Sequence, residues 1–241
     1  MAPASRYSPE VEEELVLRAA AKVIENSSIL DFKMSDIAAK AGISMGSVYK
    51  HVQSKEDVLI ALVTKMLENI FDRFDIILKM PLTLPERFAA IYLADFSIIG
   101  LYPFDGHMHM LVTNEAVLSK GSARWRDKML LWDHKIEALI YKSLEDAIET
   151  GELRSTNKLA ELDQLNLGLW ALAAGFSNIS LQKKGFSVYS DEKALEKPYS
   201  PTGPQLECVM AFLSAYPWET ALTEEGVSRA YASLKDMGFR Q

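Results

Sequence analysis

Apolar residues recur along most of this chain at three- and four-residue steps, and that helical period constrains the fold more than any other feature. Strand-type alternation rich in β-branched residues is scarce. The chain is therefore expected to be all-α, with about ten helices. Ser8 followed by Pro9 reads as a helix start, a serine cap with proline at the first position. The stripe Val11, Leu15, Ala19, Val23 carries that helix to about Asn26. Short helices are expected over 35–41 and from a Ser44 cap to Val52, with Gly42 placed for a left-handed turn between them. Ser54 starts a fourth helix, Asp57 three residues later approximates a capping box, and Pro81 and Pro85 end it. Further helices are expected over 85–99, 107–117, 123–150, 159–183, 204–215 and 223–237. A proline-rich exposed loop is expected over 185–204.

The chain is acidic, with a net charge of -7 over 241 residues, so any contact with nucleic acid has to be local. One such island exists. Between Lys33 and Lys55 stand four lysines against the single aspartate Asp36, a local charge of +3. The one cysteine, Cys208, permits no intrachain disulfide, and neither a secretory h-region nor a membrane-length apolar run is visible. A cytoplasmic location, away from membranes, is expected. No glycine-rich phosphate loop, GxSxG or HExxH occurs, so an enzyme lacks its nucleophile and base.

The island coincides with a helix-turn-helix pattern. Ile37 and Ala41 share one helix face, Ala38 is small enough for close approach, Gly42 turns the chain, Ile43 plugs the angle, and Val48 and Val52 face the same small core. The outward face of the next helix then holds Met45, Gly46, Ser47, Tyr49, Lys50 and His51. A recognition helix has to be slim where it enters the major groove, which Gly46 and Ser47 satisfy. Tyr49, Lys50 and His51 can reach phosphates or base edges. Lys55 stands at a helix N-terminus, where phosphate is favoured.

Four blocks in register, Asp36-Ile37-Ala38, Ala41-Gly42-Ile43-Ser44, Gly46-Ser47-Val48-Tyr49 and Ser54-Lys55-Glu56, resemble the DNA-binding domain of the tetracycline-repressor (TetR) family. Glu149-Thr150-Gly151-Glu152-Leu153-Arg154 is similar to the ending of a central helix in that family. Two positions depart from its pattern: Lys33 stands where a capping Thr or Ser is usual, and Val52 where an aromatic is common. The resemblance implies a three-helix DNA-binding domain at 1–55, contacting DNA through Lys33, Ser44, Met45, Gly46, Ser47, Tyr49, Lys50, His51 and Lys55. It implies a larger helical ligand-binding and dimerisation domain at 56–241. The expected partners are double-stranded operator DNA, a small-molecule effector and a second copy of the chain, and the expected activity is repression relieved by the effector.

For a largely apolar or aromatic effector, the candidate lining is Phe71, Phe74, Phe96, Tyr102, Phe104, His107, Met110, Asn114, Trp132, Asn166 and Trp170. For the homodimer, Leu165, Leu169, Leu172 and Phe176 on one helix and Leu206, Met210 and Leu213 on another are the candidates, with Ala171, Ala173, Ala174 and Gly175 permitting close approach. His107 and His109 do not share a helix face, so neither a metal nor a cofactor is expected. Two other readings stay open: a DNA-binding dimer governed by a protein partner without a ligand, and a helical binding protein or enzyme with an incidental helix-turn-helix.

Overall fold

The computed structural model describes residues 7–154, 158–186 and 197–241, without the side chains of 105–107, 158–159 and 181–186. Twelve helices stand among them: α1 Pro9–Asn26, α2 Met34–Ala41, α3 Met45–His51, α4 Lys55–Leu78, α5 Leu84–Leu93, α6 Phe96–Ile99, α7 Asp105–Val112, α8 Glu115–Leu118, α9 Ala123–Glu149, α10 Lys158–Phe186, α11 Pro204–Ser214 and α12 Glu224–Asp236. There is no strand among the described residues. Leu153 and Trp218 pair in an isolated antiparallel bridge.

Two expected helices divide, each for a local reason. The one over 85–99 breaks at Ala94–Asp95, because the Asp95 carboxylate accepts from Ser97 N at 2.9 Å and so starts α6. The one over 107–117 breaks at Thr113–Asn114, where Asn114 Oδ1 accepts from Ala116 N at 2.9 Å and starts α8. Asparagine competes with the helix backbone in this way and so favours caps.

The chain forms two compact units, whose boundaries fall inside α4 and α9. One holds the residues up to Glu68 together with Leu101–Asp133; the other holds Asn69–Gly100 and His134–Gln241. In the first, α1, α2 and α3 enclose Val16, Leu17, Ala20, Phe32, Ile37 and Val48, all buried. The buried residues of α1 are Glu12, Val16, Leu17, Ala19, Ala20, Ala21 and Ile24; of the expected stripe Ala19 is buried, Leu15 and Val23 are half-buried, and Val11 is exposed. A polar residue holds the inward position at the helix start because it has a buried partner, described below.

In the second unit, α5 packs along α12 and α11, around a core that includes Leu84, Phe88, Leu144, Leu165, Leu206 and Val227. Gly226 is required here: a Cβ would stand 2.8 Å from Glu86 Oε1, and Glu86 is buried and paired with Arg229. The α9 ending works as a unit. Gly151 at φ +80° turns the chain, the Glu152 carboxylate accepts from Leu84 N at the start of α5, and Leu153 is buried. The C-terminal residues are held too, with Arg240 Nη1 donating to Leu93 O at 2.6 Å.

A candidate DNA-reading face and a candidate mating face

The geometry around α3 follows from its caps. Gly42 adopts φ +67°, and its N–H bonds back to the α2 carbonyls. Ser44 accepts from Ser47 N at 3.1 Å and starts α3. Lys33 precedes α2 without any side-chain cap, as lysine must, and its ammonium is left exposed. Val48 and Val52 are fully buried, which aims the opposite side of α3 at solvent. Met45, Gly46, Tyr49 and Lys50 are exposed there, with Ser47 half-buried. Lys55 is exposed at the first residue of α4, with its ammonium 5.1 Å from the Phe32 ring centroid.

Gly46 carries particular information. A Cβ at this position would lie 3.7 Å from Ser44 Oγ, an ordinary contact, so the fold itself does not ask for glycine. The bare backbone there faces solvent.

His51 is corrected. It does not join the outward face: it is 7% exposed, and its Nε2 stands 3.1 Å from Glu12 Oε2. The bond from His51, with a further one from Ser47, holds the Glu12 carboxyl below the usual carboxylate range against the opposing cost of burial. This pair explains both why Glu12 faces inward and why His51 is lost to DNA. His51 follows Tyr49 by two positions, about 200° round the helix, so the helical period itself sets it on the side of Val48 and away from Tyr49.

The expected effector residues divide between the units. Phe71, Phe74, Phe96, Asn166 and Trp170 lie in the second, Tyr102, Phe104, Met110, Asn114 and Trp132 in the first. Phe74 and Phe96 are half-buried against the second unit's core, and Tyr102 stacks on Phe104 at 5.3 Å. Three expectations need correction. Asn114 is the exposed cap of α8, Met110 is exposed, and Trp170 is 64% exposed. The side chain of His107 lies outside the described residues; His109 faces Asp133 at 3.8 Å. A cleft of about 680 Å³ in the second unit is polar, lined by Thr83, Glu86, Glu152, Glu219 and Arg229 among others, and none of the expected effector residues line it.

The expected dimer residues are corrected as well. Leu165, Leu169, Leu206 and Leu213 are buried within the chain's own core, and Leu172, Phe176 and Met210 pack against it. The close approach within the chain is made by Gly168, where a Cβ would come within 2.1 Å of the Phe212 ring of α11. The small residues Ala171, Ala173 and Ala174 are exposed instead. With Leu167, 59% exposed, and Trp170, they leave α10 apolar on its outside as well as its inside.

Residues 16–62 match the family described as bacterial regulatory proteins, tetR family. The chain carries a TetR-family DNA-binding domain over that stretch. It is thus an all-α DNA-binding transcriptional regulator, and α2 and α3 are its helix-turn-helix. Among curated proteins, this chain is 23% identical over 139 residues to the fatty acid metabolism regulator protein of Bacillus subtilis, covering 58% of this chain and 69% of that protein. It is 29% identical over 99 residues to the HTH-type transcriptional repressor KstR2 of Mycolicibacterium smegmatis; there the match spans 41% of this chain and 48%, under half, of the repressor. Among solved structures, a TetR-family regulator from Mesorhizobium loti superposes with a TM-score of 0.59 at 15% identity, covering 88% of this chain and 99% of that one. FadR of Bacillus subtilis, solved with stearoyl-CoA, superposes with a TM-score of 0.50 at 16% identity, covering 76% and 94%. At these identities the structural likeness concerns the fold.

Proposed function

We propose that this regulator is a repressor that holds operator DNA as a homodimer and leaves it when an apolar, acyl-chain effector binds. The observation that carries the DNA-binding half is the outward face of α3. It exposes Met45, Gly46, Tyr49 and Lys50 beside Lys33 and Lys55, on a helix whose other side is fully buried. Gly46 lets that helix lie close to base edges, Tyr49 and Lys50 reach bases or phosphates, and Lys33 and Lys55 neutralise the flanking backbone. His51 is not a DNA contact in this reading.

The homodimer half rests on α10. Over 167–176 this helix is apolar on both sides, and this chain covers only one of them. Leu167, Trp170, Ala171 and Ala174 recur at i, i+3, i+4, i+7, the spacing of one helix face, and mate with the same face of a second copy around a two-fold axis. Two recognition helices held in this way meet half-sites roughly 34–36 Å apart.

The effector class is supported by the curated relative that regulates fatty acid metabolism and by the stearoyl-CoA bound in FadR. On the chain itself, Phe71, Phe74 and Phe96 offer half-buried apolar surface for an acyl chain. The test selects bound duplexes from fragmented genomic DNA and then titrates stearoyl-CoA. We expect a site with two half-sites one helical turn apart, released as the thioester is added. Retention of the duplex at saturating stearoyl-CoA would refute the effector class, and selection of no duplex would refute the repressor.

A further inference from the structure

The recognition helix has seven residues, far too few to be stable alone. Its N-terminus is fixed by Ser44. Its C-terminus is fixed by a segment about seventy residues downstream in the same compact unit, the turn from α8 into α9. Trp125, 1% exposed, donates its indole N–H to His51 O at 2.8 Å, satisfying one of the carbonyls that every helix end leaves without a partner. Glu13, next to the Glu12 that grips the His51 ring, receives Arg124 and also Lys128 at 3.1 Å, and both cations flank the Trp125 ring, Lys128 Nζ at 4.5 Å from its centroid. Asp57, at the start of α4, accepts from Gln53 N at 2.9 Å with one oxygen and from Ser122 N at 2.6 Å with the other. Gly121 makes the approach possible, since a Cβ there would stand 2.2 Å from Ile60 Cδ1.

Trp125 and Glu12 hold the last residue of α3, while Glu13 and Asp57 tie the same downstream segment to α1 and to the start of α4, and none of these contacts is needed to build a helix-turn-helix. We propose that Trp125, acting through the His51 carbonyl together with Glu12 on the His51 ring, is a positioning residue for DNA reading. The first turns of α9 form a clasp that sets the orientation of the recognition helix. The N-terminal sixty residues thus complete their DNA-reading surface only with Gly121–Lys128 docked on them.

The test uses the full-length protein and an operator duplex selected by the parent chain from a random pool. Trp125→Phe keeps a large buried ring and removes the N–H. We expect the backbone amides of Val48–Val52 to exchange with deuterium about tenfold faster and the operator Kd to rise about tenfold, with the dimer mass unchanged. Glu12→Gln keeps an acceptor for His51 and is expected to move both readouts only about threefold in the same direction. Tyr92→Phe loses a comparable buried hydrogen bond, to Leu169 O in the second unit, and is expected to leave both readouts at the parent values. Parent-like α3 exchange and parent-like Kd in Trp125→Phe overturn the clasp, as does an equal loss in Tyr92→Phe. Should Trp125→Phe not fold, Glu12→Gln decides, and no change in either readout overturns the proposal. The exchange arm does not depend on DNA, so failure of the clasp and failure of DNA binding are distinguishable.

Discussion

Helices α3 and α10 both turn a face to solvent, and the two faces are chemical opposites. That of α3 is narrow, with glycine near its start and tyrosine and lysine behind. That of α10 is broad and apolar, led by Leu167 and Trp170. A polar face of a short helix is at ease in water and acts only when a charged groove arrives. A contiguous apolar face on a long helix is costly in water and calls for permanent cover. On the proposed reading the difference separates a transient contact from an obligate one, with DNA taken by the first unit and a second copy by the other.

The comparison can be broken most severely at α10. Trp170→Glu combined with Ala174→Glu places two like charges at the centre of the mating face. The protein should become monomeric by light scattering, and operator affinity should fall by about a hundredfold or more, because two weak half-site contacts no longer act together. A dimer that survives this change mates elsewhere. On α3 the expected effect is smaller and cleaner. Gly46→Leu places its Cβ only in ordinary contact with Ser44 and removes a flexible glycine from a helix, so the melting temperature should hold or rise. Operator Kd should nevertheless rise about ten- to a hundredfold, as should that of Tyr49→Ala. A Gly46→Leu protein that binds like the parent would show that α3 does not enter the groove.

The inner side of α10 sharpens the contrast. Gly168→Ala drives a methyl into the Phe212 ring and should cost about 1–3 kcal/mol of stability by thermal or urea unfolding. Ala171→Gly, on the outer side, should cost only the usual propensity, about 1 kcal/mol. Smaller still is Lys55→Ala, which should weaken binding uniformly across sequences and reduce the salt slope of log K by about one. The subtlest effect is acid dependence. Glu12 is held below its ordinary value of 4.5, so its contribution to stability is present above that value and is lost as pH falls through the depressed one. Glu12→Gln should flatten the loss of stability below about pH 4.5, and identical acid-unfolding curves for variant and parent would discount the His51–Glu12 pair.

Most of the first unit was legible from sequence because its rules are local. Serine caps, a glycine in the left-handed turn and aliphatic pairs four apart act within a few residues, and Ser8, Gly42, Ser44 and Ser54 stand where expected. Asp57 was legible as half of a capping box, though its carboxylate reaches Gln53 N rather than the cap itself, and its bond to Ser122 was not legible at all. The misreadings share one cause. Val11, Leu165 and Leu213 were each placed on a face by period, and period says which residues lie together without saying which partner covers them. Over 167–176 of α10 both faces are apolar, and it is tertiary packing, including α11 against Gly168 and the Tyr92 hydroxyl on Leu169 O, that distinguishes inside from outside.

The sequence by itself determined the all-α class, the positions of the early helix starts and stops, and a helix-turn-helix of recognisable family, because capping, turn and spacing energies are settled within one or two helical turns. The tertiary structure alone decided that His51 finds Glu12 as its buried partner, that Trp125 reaches back to the end of the recognition helix, and that the outer rather than the inner face of α10 is left exposed. Those outcomes depend on which distant side chain supplies the missing hydrogen bond or the matching surface, and no local pattern carries that information.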